Sequence, residues 1–397
     1  MPQSILIATV LRPEGDTGVQ SHFRAFLAWA QEKALPVTLV TPYNSPRWQV
    51  YPAFGLRRLI DPLHKSASVW WYRHWHALFL RRALRVALAN GKACTIYAQC
   101  PLSAAAALRA RATPNQQVVM VAHFNISQAD EWVGKGMIRE GGALYCAIRK
   151  FEAELLPRLD GLVFVSDFMR QEVSARIPAT ASVPFRIVPN FLPDPALGVE
   201  STQAKTDLIC IGTLEPRKNQ RHALEIVAAA TRSGRPLSLT VVGEGPDRAM
   251  LEALASRLGI MQQVFFAGFI RNAADLIQGH SACLHVAQIE NLPLTLIEAL
   301  SRGVPVFASA VGGVPEVFTD GREGRFIPLD DAQAAARIII DWLDAPQTMA
   351  IAQLAARNRF LARFEAGKVA ADLADFLGRP GVFGTRPRGQ ARETTAA

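Results

Sequence analysis

The segment ENLPLTLIEA, residues 290–299, is the centre of the stretch that decides the fold, residues 208–329. It carries two glutamates eight positions apart, Glu290 and Glu298. Four further segments surround it in a fixed order: IGTLEPRKNQ (211–220), VVGEGP (241–246), GVPVFAS (303–309) and GGVPEV (312–317). Each segment alone is a weak signal, whereas the ordered series is a specific one.

Short apolar runs alternate with helical patterns throughout this stretch. The runs predict buried strands, and they are LICIG (208–212), SLTVVG (238–243), VFFAG (264–268), ACLHVA (282–287) and PVFAS (305–309). One helical pattern between them ends at Gly259, and its apolar positions are Met250, Leu251, Leu254 and Leu258. The alternation predicts an α/β fold with a parallel, doubly wound sheet, and the first half of the chain alternates in the same way.

A helix predicted over residues 293–302 points its start at the place where a ligand should bind. Pro293 occupies a position favoured for the first helical residue, and Gly303 follows where the helix should stop. Ligands of such sheets bind at the carboxyl ends of the strands, and the free N–H groups of a helix start attract anions. We therefore expect Leu294 and Thr295 to donate backbone N–H groups to phosphate oxygens.

Four charged residues flank this helix start in the sequence. Arg217 and Lys218 follow the first strand of the stretch and offer two cations to a phosphate. Glu290 precedes the helix and can accept hydrogen bonds from sugar hydroxyls, while Glu298 lies within it and suits a ribose diol. Taken singly, they read as an exposed loop glutamate and an ordinary basic turn, and the glycines around Gly243 read as a simple turn.

Together and in this order, the segments resemble the nucleotide-sugar-binding half of retaining glycosyltransferases of the GT-B fold, the family-4 type. The resemblance implies two Rossmann-like, doubly wound domains that face each other across a cleft. It implies that Glu290 contacts the transferred hexose and that Glu298 contacts the ribose. It further implies that Arg217 and Lys218 hold the diphosphate and that the base packs near Ile270, which follows a predicted strand.

One position of this half departs from the family pattern. Many family members have an arginine directly after the glycine of the first strand, and this chain has Thr213 there. Arg217 is therefore expected to carry more of the phosphate contact. Gly243 ends the second predicted strand, and we expect it to contact the donor.

The resemblance is thinner in the first half of the chain. The segment VVMVAHFN, residues 118–125, looks like the strand that ends in the family's active-site histidine, which would be His123. A structural histidine is the alternative. In the loop at residues 12–23, Gly15 and Gly18 would allow the backbone to approach the donor or the acceptor, although the family's usual paired glycines are missing.

The chain has 397 residues, which is enough for two domains with separate cores. We predict an N-terminal acceptor-side domain over residues 1–195, a nucleotide-sugar-binding domain over 196–378, and a disordered tail over 379–397. Prolines and polar residues mark the linker, and the tail is rich in Gly, Pro, Arg and Thr. The resemblance implies that the last helix, near residues 369–377, crosses back onto the first domain.

The composition bears on the cellular location of the protein and on its partners. Five cysteines form no C-x-x-C pair, and we expect reduced thiols in a cytoplasmic protein. No signal peptide is evident, and no apolar stretch reaches the length of a membrane span. No recognised nucleic-acid motif appears, so we expect no nucleic-acid partner.

The positive charge is concentrated in one aromatic stretch of the first domain. Residues 47–92 hold nine Lys or Arg and one Asp, and the part from Trp70 to Arg85 reads as a basic, aromatic helix. Such a helix suits an anionic membrane surface. A core helix with a solvated basic face is an equally good reading.

The sequence as a whole predicts a retaining glycosyltransferase that moves a hexose from a nucleotide diphosphate sugar, with GDP-mannose as the first donor hypothesis. The acceptor would be a glycan, expected to be lipid-linked, in exopolysaccharide or O-antigen synthesis, on the inner face of the plasma membrane. No D-x-D occurs, which suits metal-independent donor binding, and no cofactor is expected beyond the donor substrate. The alternatives are another GT-B enzyme, such as a nucleotide-sugar epimerase or a phosphorylase, and a non-catalytic nucleotide-sugar-binding protein.

Overall fold

A computed structural model of the chain describes residues 4–15, 17–195 and 206–378. The two halves each contain a six-stranded parallel sheet with helices on both faces. The predicted α/β fold with two doubly wound domains is therefore confirmed. The predicted tail, 379–397, lies outside the described residues, and the predicted domain boundary lies beside another gap, 196–205.

The first sheet has the strand order β2-β1-β3-β4-β5-β6. Its strands are β1 (Ser4–Ala8), β2 (Val37–Val40), β3 (Cys94–Ala98), β4 (Gln116–Ala122), β5 (Gly161–Phe164) and β6 (Phe185–Ile187). Its helices are α1 (Gly18–Glu32), α2 (Arg47–Ile60), α3 (Lys65–Leu88), α4 (Pro101–Ala110), α5 (Gln128–Gly134), α6 (Ala143–Leu155) and α7 (Asp167–Arg176). Nearly every residue of β1, β3, β4 and β5 is buried, as expected for a sheet covered on both faces.

The second sheet has the strand order β12-β11-β10-β7-β8-β9. Its strands are β7 (Thr206–Ile211), β8 (Leu239–Val242), β9 (Val264–Gly268), β10 (His280–His285), β11 (Val306–Ala308) and β12 (Gly324–Phe326). Its helices are α8 (Gln220–Arg232), α9 (Arg248–Arg257), α10 (Leu294–Ser301), α11 (Ala332–Leu343) and α12 (Pro346–Arg363), and the last helix, α13 (Ala366–Gly378), follows them. All five strands predicted for this half are present within one or two residues.

Two details of the predicted helices are wrong. Met250 was assigned to the apolar face of α9, yet it is 47% exposed, because only Leu251, Leu254 and Ala255 of this helix face the core. Pro293 was taken as the first residue of α10, yet it has extended backbone angles and precedes the helix as its N-cap. Gly303 has φ of 66°, which is the left-handed conformation expected where that helix ends.

The last helix returns to the first domain, as the resemblance implied. Helix α13 packs against α1 and against strands β1 and β3. The hydroxyl of Thr95 in β3 donates to the carbonyl of Leu377 at 2.8 Å. At the first residue of the helix, the N–H of Ala366 donates to the carbonyl of Leu192 at 2.9 Å. These bonds join the end of the chain to the N-terminal domain.

The basic aromatic stretch forms one long helix, α3, and its aromatic side chains divide between core and surface. Phe79 is 1% exposed and packs against Phe54 of α2, with 5.8 Å between the ring centroids, so it is unavailable to a membrane surface. The indole N–H of Trp71 donates to the carbonyl of Ala53 at 2.6 Å, which holds α3 against α2. Trp70, in contrast, is 54% exposed. No helix in the described ranges is long and apolar enough to cross a membrane.

Candidate active site

The two sheets present the carboxyl ends of their strands to one cavity of about 580 Å³ between the domains. Both domains contribute to its lining. Ten of the site residues predicted from the sequence line it: Gly18, His123, Arg217, Lys218, Gly243, Ile270, Glu290, Leu294, Thr295 and Glu298. Gly15, the other glycine predicted to approach the donor or acceptor, is not among the lining residues. Residues from distant parts of the chain are thereby brought to one place, as the rule for ligand sites on doubly wound sheets predicts.

Helix α10 begins at this cavity with open backbone donors. Its N-cap, Pro293, makes no side-chain hydrogen bond to the first turn within the described part of the chain. The N–H groups of Leu294 and Thr295 are therefore available to an anion at the positive end of the helix dipole. Helix α1 also begins here, at Gly18, where a Cβ atom would lie 3.3 Å from Leu294 Cδ1. The glycine lets the two helix starts approach each other across the cleft.

Glu290 is the centre of a cluster of basic side chains. Its Oε1 accepts a short hydrogen bond from Lys218 Nζ and lies 3.6 Å from Arg217 Nη1. The same oxygen lies 3.4 Å from His285 Nε2. Arg217 is held in addition by Glu215, at 2.7 Å. The two cations predicted to bind a diphosphate are thus fixed beside the carboxylate predicted to bind the hexose.

This cluster keeps Glu290 ionised. Burial alone would raise the pKa of the Glu290 carboxyl, but the attraction of Lys218, His285 and Arg217 outweighs it and holds the pKa well below its usual value. Burial lowers the pKa of the His285 ring, so that imidazole is neutral at neutral pH. Glu290 is therefore a hydrogen-bond acceptor at neutral pH and has no proton to donate.

Glu298 lies about one helical turn after the start of α10 and also lines the cavity. Its backbone carbonyl accepts bonds from Ser301 and Arg302, while its carboxylate accepts none from the residues that the structure describes. Burial raises the pKa of the Glu298 carboxyl, with Arg302 acting in the opposite direction. A partly buried carboxylate with open oxygens suits a pair of neighbouring hydroxyls.

Gly243 reaches the cavity through its backbone, and the packing of the strand ends requires a glycine there. Its φ is 141°, and a Cβ atom would lie 2.0 Å from the carbonyl oxygen of Gly212. The N–H of Gly243 donates to the carbonyl of Gly268 at 2.8 Å. The ends of β7, β8 and β9 are thereby drawn together beneath the place where Ile270 lines the cavity.

His123 lines the N-terminal side of the same cavity, opposite the segment that carries Glu290. Its ring packs edge-on against the buried ring of His22, with the centroids 4.8 Å apart. His22 Nε2 in turn lies 2.9 Å from the hydroxyl of Tyr97. Burial, and then the neighbouring His22, hold the pKa of His123 well below its usual value. The ring is therefore neutral, and its buried Nε2 has no protein partner among the described residues.

Asn291 joins the two sides of the cleft. Its side-chain nitrogen donates to the carbonyl oxygens of Ala122, at 3.2 Å, and Phe124, at 2.9 Å, which flank His123. Its side-chain oxygen accepts a 2.5 Å bond from the hydroxyl of Ser166 in the first domain. One side chain thus holds the segment of Glu290 against the loop of His123.

The sequence analysis missed three of these residues, namely His285, Asn291 and His22. A histidine within an apolar strand and an asparagine in a loop are both ordinary, so neither stood out. The signal for Asn291 was its place directly after Glu290 in the decisive segment. The signal for His22 was its position beside Phe23 on the apolar face of α1, where a polar ring must find a partner.

Two family models match the chain. The model described as glycosyl transferases group 1 matches residues 199–359. The model described as a glycosyl transferase 4-like domain matches residues 17–190. The two matches fall on the two domains and together cover most of the chain.

Curated relatives match mainly over part of their length. A GDP-mannose-dependent alpha-(1-6)-phosphatidylinositol monomannoside mannosyltransferase of Mycolicibacterium smegmatis is 27% identical over 238 residues, which are 55% of this chain and 62% of that enzyme. A 2-deoxystreptamine glucosyltransferase of Streptomyces kanamyceticus is 33% identical over 158 residues, which are 38% of this chain and 40% of that enzyme. The chain thus spans less than two thirds of the length of these relatives.

Solved structures share the fold over nearly the whole chain. Sucrose-phosphate synthase from Thermosynechococcus elongatus superposes with a TM-score of 0.72 at 18% identity, covering 94% of this chain and 98% of that one. Anabaena HepE, in complex with UDP and glucose, superposes with a TM-score of 0.69 at 16% identity, covering 95% of this chain and 99% of that one. At such low identity the likeness shows only that the fold is shared.

Proposed function

Because the chain belongs to the family-4 type of glycosyltransferases with the GT-B fold, we propose that it transfers a hexose from a nucleotide diphosphate sugar to a glycan acceptor with retention of anomeric configuration. The strongest support is the placement of Lys218, Glu290 and the open start of α10 around one cleft with His123. The diphosphate then has cations and backbone N–H donors beside it, and the hexose has hydrogen-bonding groups on both sides.

In the proposed reaction, the negative charge that develops on the leaving diphosphate is stabilised by fixed positive groups. Lys218, Arg217 and the backbone N–H groups at the start of α10 are already oriented before the donor binds, so little reorganisation accompanies the bond cleavage. No metal ion is required by this arrangement, and no cofactor is proposed beyond the donor.

The transferred hexose would lie between Glu290 and His123. Glu290 is ionised and accepts hydrogen bonds from sugar hydroxyls. His123 is neutral, so one ring nitrogen can donate or accept without placing a second positive charge beside the sugar. We propose that the acceptor attacks from the face that the diphosphate leaves, without a covalent sugar intermediate.

GDP-mannose is the proposed donor. The segment GTLEPRKN, residues 212–219, is similar to mannosyltransferase members of the family, and the relative from Mycolicibacterium smegmatis is described as GDP-mannose-dependent. The solved HepE complex contains UDP and glucose. UDP-sugars are therefore the competing donors in the test.

The proposed acceptor is a lipid-linked glycan at the cytoplasmic face of the membrane, in exopolysaccharide or O-antigen synthesis. Helix α2 supports this, because Trp48, Tyr51 and Leu59 recur on one side of it and are 76%, 52% and 66% exposed. Exposed Arg58 lies on α2 itself, and Arg82 of α3 donates to the side chain of Gln49 in α2 at 3.1 Å. Exposed aromatic and aliphatic side chains flanked by cations suit an anionic bilayer surface.

The decisive experiment measures donor binding and donor turnover separately. The protein is heated with GDP-mannose, UDP-glucose or UDP-N-acetylglucosamine, and the donor should raise the melting temperature more than the others. A ligand present at a hundred times its Kd stabilises the folded state by about 2.7 kcal/mol. Turnover is then followed with lipid-linked acceptors, and the anomeric configuration of the product is read by NMR.

The alternatives predict different outcomes in the same assay. A nucleotide-sugar epimerase would convert the donor without an acceptor, and a phosphorylase would need inorganic phosphate. A non-catalytic binding protein would be stabilised by the donor and would release no nucleoside diphosphate with any acceptor. Inversion of the anomeric centre would contradict the proposed mechanism while leaving the transferase activity intact.

A further inference from the structure

A second cavity lies outside the cleft, on the surface of the N-terminal domain between α3, α4 and α6. Its volume is about 430 Å³, inside the range of roughly 300–1,000 Å³ found for small-molecule sites. Four alanines leave the space open where the three helices face one another: Ala77, Ala105, Ala106 and Ala147. We call this cavity the alanine groove. Leu78, Ile148 and Phe151 complete its apolar wall.

Three arginines border the alanine groove, and the described residues that line it include no Asp or Glu. Arg73 Nη1 donates to the amide oxygen of Gln128 at 3.1 Å, and its guanidinium lies 5.3 Å from the ring centre of Phe151. Arg81 Nε is buried without a hydrogen-bond partner. Neither of these arginines, nor Arg109, has a carboxylate within ion-pair distance in the described ranges.

Uncompensated cations beside apolar surface are costly, because burial removes water without supplying an anion. Burial lowers the pKa of the Arg73 guanidinium, and the buried carboxylate of Glu152 on α6 offsets only part of that desolvation. A bound anion would neutralise this excess charge. Inorganic phosphate would leave the apolar wall exposed, and a neutral alkyl chain would leave the arginines unpaired.

We propose that the alanine groove binds an anionic amphiphile, with its alkyl or prenyl chain along the alanine wall and its phosphate at the arginines. The occupant follows from the pairing of the two surfaces, since only a molecule with both parts satisfies both. Arg73 and Arg81 lie on one helix and Arg109 lies on the next, so they can approach a phosphate from two sides.

The groove is well placed to serve the cleft. It runs along α4 from Leu102 to Arg109, a rise of about 10 Å for a helix of this length. Leu102 lies in the first turn after β3, at the sheet edge that faces the cleft. Gln128, which Arg73 contacts, begins α5 three residues after Asn125 of the cleft. A phosphate held there would direct an attached glycan towards the cleft, a consequence that rests on the proposed function, whereas binding itself does not.

Dodecyl phosphate, dispersed below its micelle concentration, is the probe. Isothermal titration of the full chain should give saturable binding with one molecule per protomer, and the fluorescence of Trp70 at the groove should respond. Dodecyl maltoside has the same chain without charge, and inorganic phosphate has the charge without the chain. Both should bind at least tenfold more weakly. Equal affinity for either compound would overturn the proposal.

Substitutions locate the site. Arg81→Gln and Arg109→Gln should each weaken dodecyl phosphate about tenfold, the scale of one lost hydrogen bond to a charged group. Ala77→Leu and Ala147→Leu fill the groove with helix-compatible side chains and should abolish binding. Lys150→Gln, an exposed cation on α6 outside the groove, is the matched control and should bind as the wild type does. Far-ultraviolet circular dichroism and urea unfolding check that each variant is folded.

Three results would refute the site. Wild-type affinity in both arginine variants would remove the proposed phosphate contact. An equal loss in Lys150→Gln would indicate general surface electrostatics. A dimer in sedimentation velocity that Ala147→Leu dissociates would show that the groove receives a second copy of the chain. Because the probe assay requires no turnover, it can fail while the transferase activity holds, and the reverse is equally visible.

Discussion

The side-chain nitrogen of Asn291 donates a hydrogen bond of 2.9 Å to the carbonyl oxygen of Phe124. Asn291 follows Glu290 in the chain, and Phe124 follows His123. The bond therefore connects the carboxylate on one domain with the imidazole on the other. It fixes the separation between the two groups proposed to hold the sugar.

Replacing Asn291 by Ala should lower transfer more than it lowers nucleotide affinity, because the diphosphate contacts stay intact while the carbonyls of Ala122 and Phe124 lose their donor. Unfolding in urea should also become easier by about 1–3 kcal/mol, the cost of unpaired buried polar groups. Ser166→Ala removes the bond to the Asn291 oxygen and the N-cap bond from Met169 N–H, but it leaves both carbonyl bonds of Asn291 intact, so it is the control with a smaller effect on rate. Equal losses of rate and affinity in Asn291→Ala would contradict a positioning role.

Lys218 should be essential for turnover. Lys218→Ala should slow transfer by about a hundredfold or more, the scale for one lost charge-stabilising donor. It would also remove the main attraction that keeps the pKa of Glu290 low. Arg221→Ala is the control, since Arg221 is a nearby exposed cation outside the cleft that pairs with Glu225. A folded Lys218→Ala variant with near wild-type turnover would remove the diphosphate assignment.

The two glutamates of the decisive segment should separate kinetically. Glu290→Gln keeps the shape and loses the charge, so the rate should fall while nucleoside diphosphate affinity changes little. Glu298→Ala should weaken that affinity, because it would leave ribose hydroxyls unpaired at a cost of about 1–3 kcal/mol. Calorimetric titration with the nucleoside diphosphate measures the second effect. Unchanged affinity in Glu298→Ala would show that the ribose lies elsewhere.

The sequence predicted where the residues of the C-terminal domain lie in the cleft, because they directly follow the ends of strands. Arg217, Gly243 and Ile270 each follow a strand, and a parallel sheet brings all such positions to one edge. The start of α10 and its stop at Gly303 were likewise predictable from Pro and Gly chemistry. Order along the chain was therefore enough to indicate proximity in space.

The contacts between domains were not predictable in this way. Asn291 and Ser166 are 125 positions apart, and nothing in either local sequence indicates that they meet. The sequence also does not show which aromatic residues of α3 are buried, since Trp70 and Phe79 have the same apolar character but opposite exposures. Burial of a given aromatic residue depends on the neighbouring α2, whose packing no periodicity specifies.

Acid should destabilise the protein through histidines buried in neutral form. Burial lowers the pKa of His76 to about 4 from 6.5, and the same holds for His22. The unfolded chain therefore takes up protons first as the pH falls. Stability is complete above about pH 6.5 and is lost towards pH 4, by up to about 1.4 kcal/mol per pH unit for each ring.

Urea unfolding of the wild type and of His76→Gln between pH 7.5 and 4.5 tests this linkage. His76 stacks on Phe54 at 3.9 Å between ring centres and lies far from the cleft residues, so its loss should not alter the donor contacts. The variant should lose one ring's share of the pH slope, whatever its stability at neutral pH. An unchanged slope would contradict a buried neutral imidazole at this position.

The exposed side of α2 and the last turns of α3, which carry Arg82 and Arg85, should bind anionic membranes. Trp48 and Leu63 are 76% and 84% exposed and would enter the interface. Arg58, Arg82 and Arg85 would meet the head groups, each contributing about 1 kcal/mol.

Co-sedimentation with phosphatidylglycerol vesicles should therefore weaken as salt rises, because surface charges are screened. Neutralising the three arginines should remove most binding, and Trp48→Ala with Leu63→Ala should weaken what persists at high salt. Arg232→Gln, an exposed cation on the other domain, should bind as the wild type does. Binding that ignores salt, or no binding to anionic vesicles, would favour the reading of α3 as a core helix with a solvated face and would leave the lipid-linked acceptor without support.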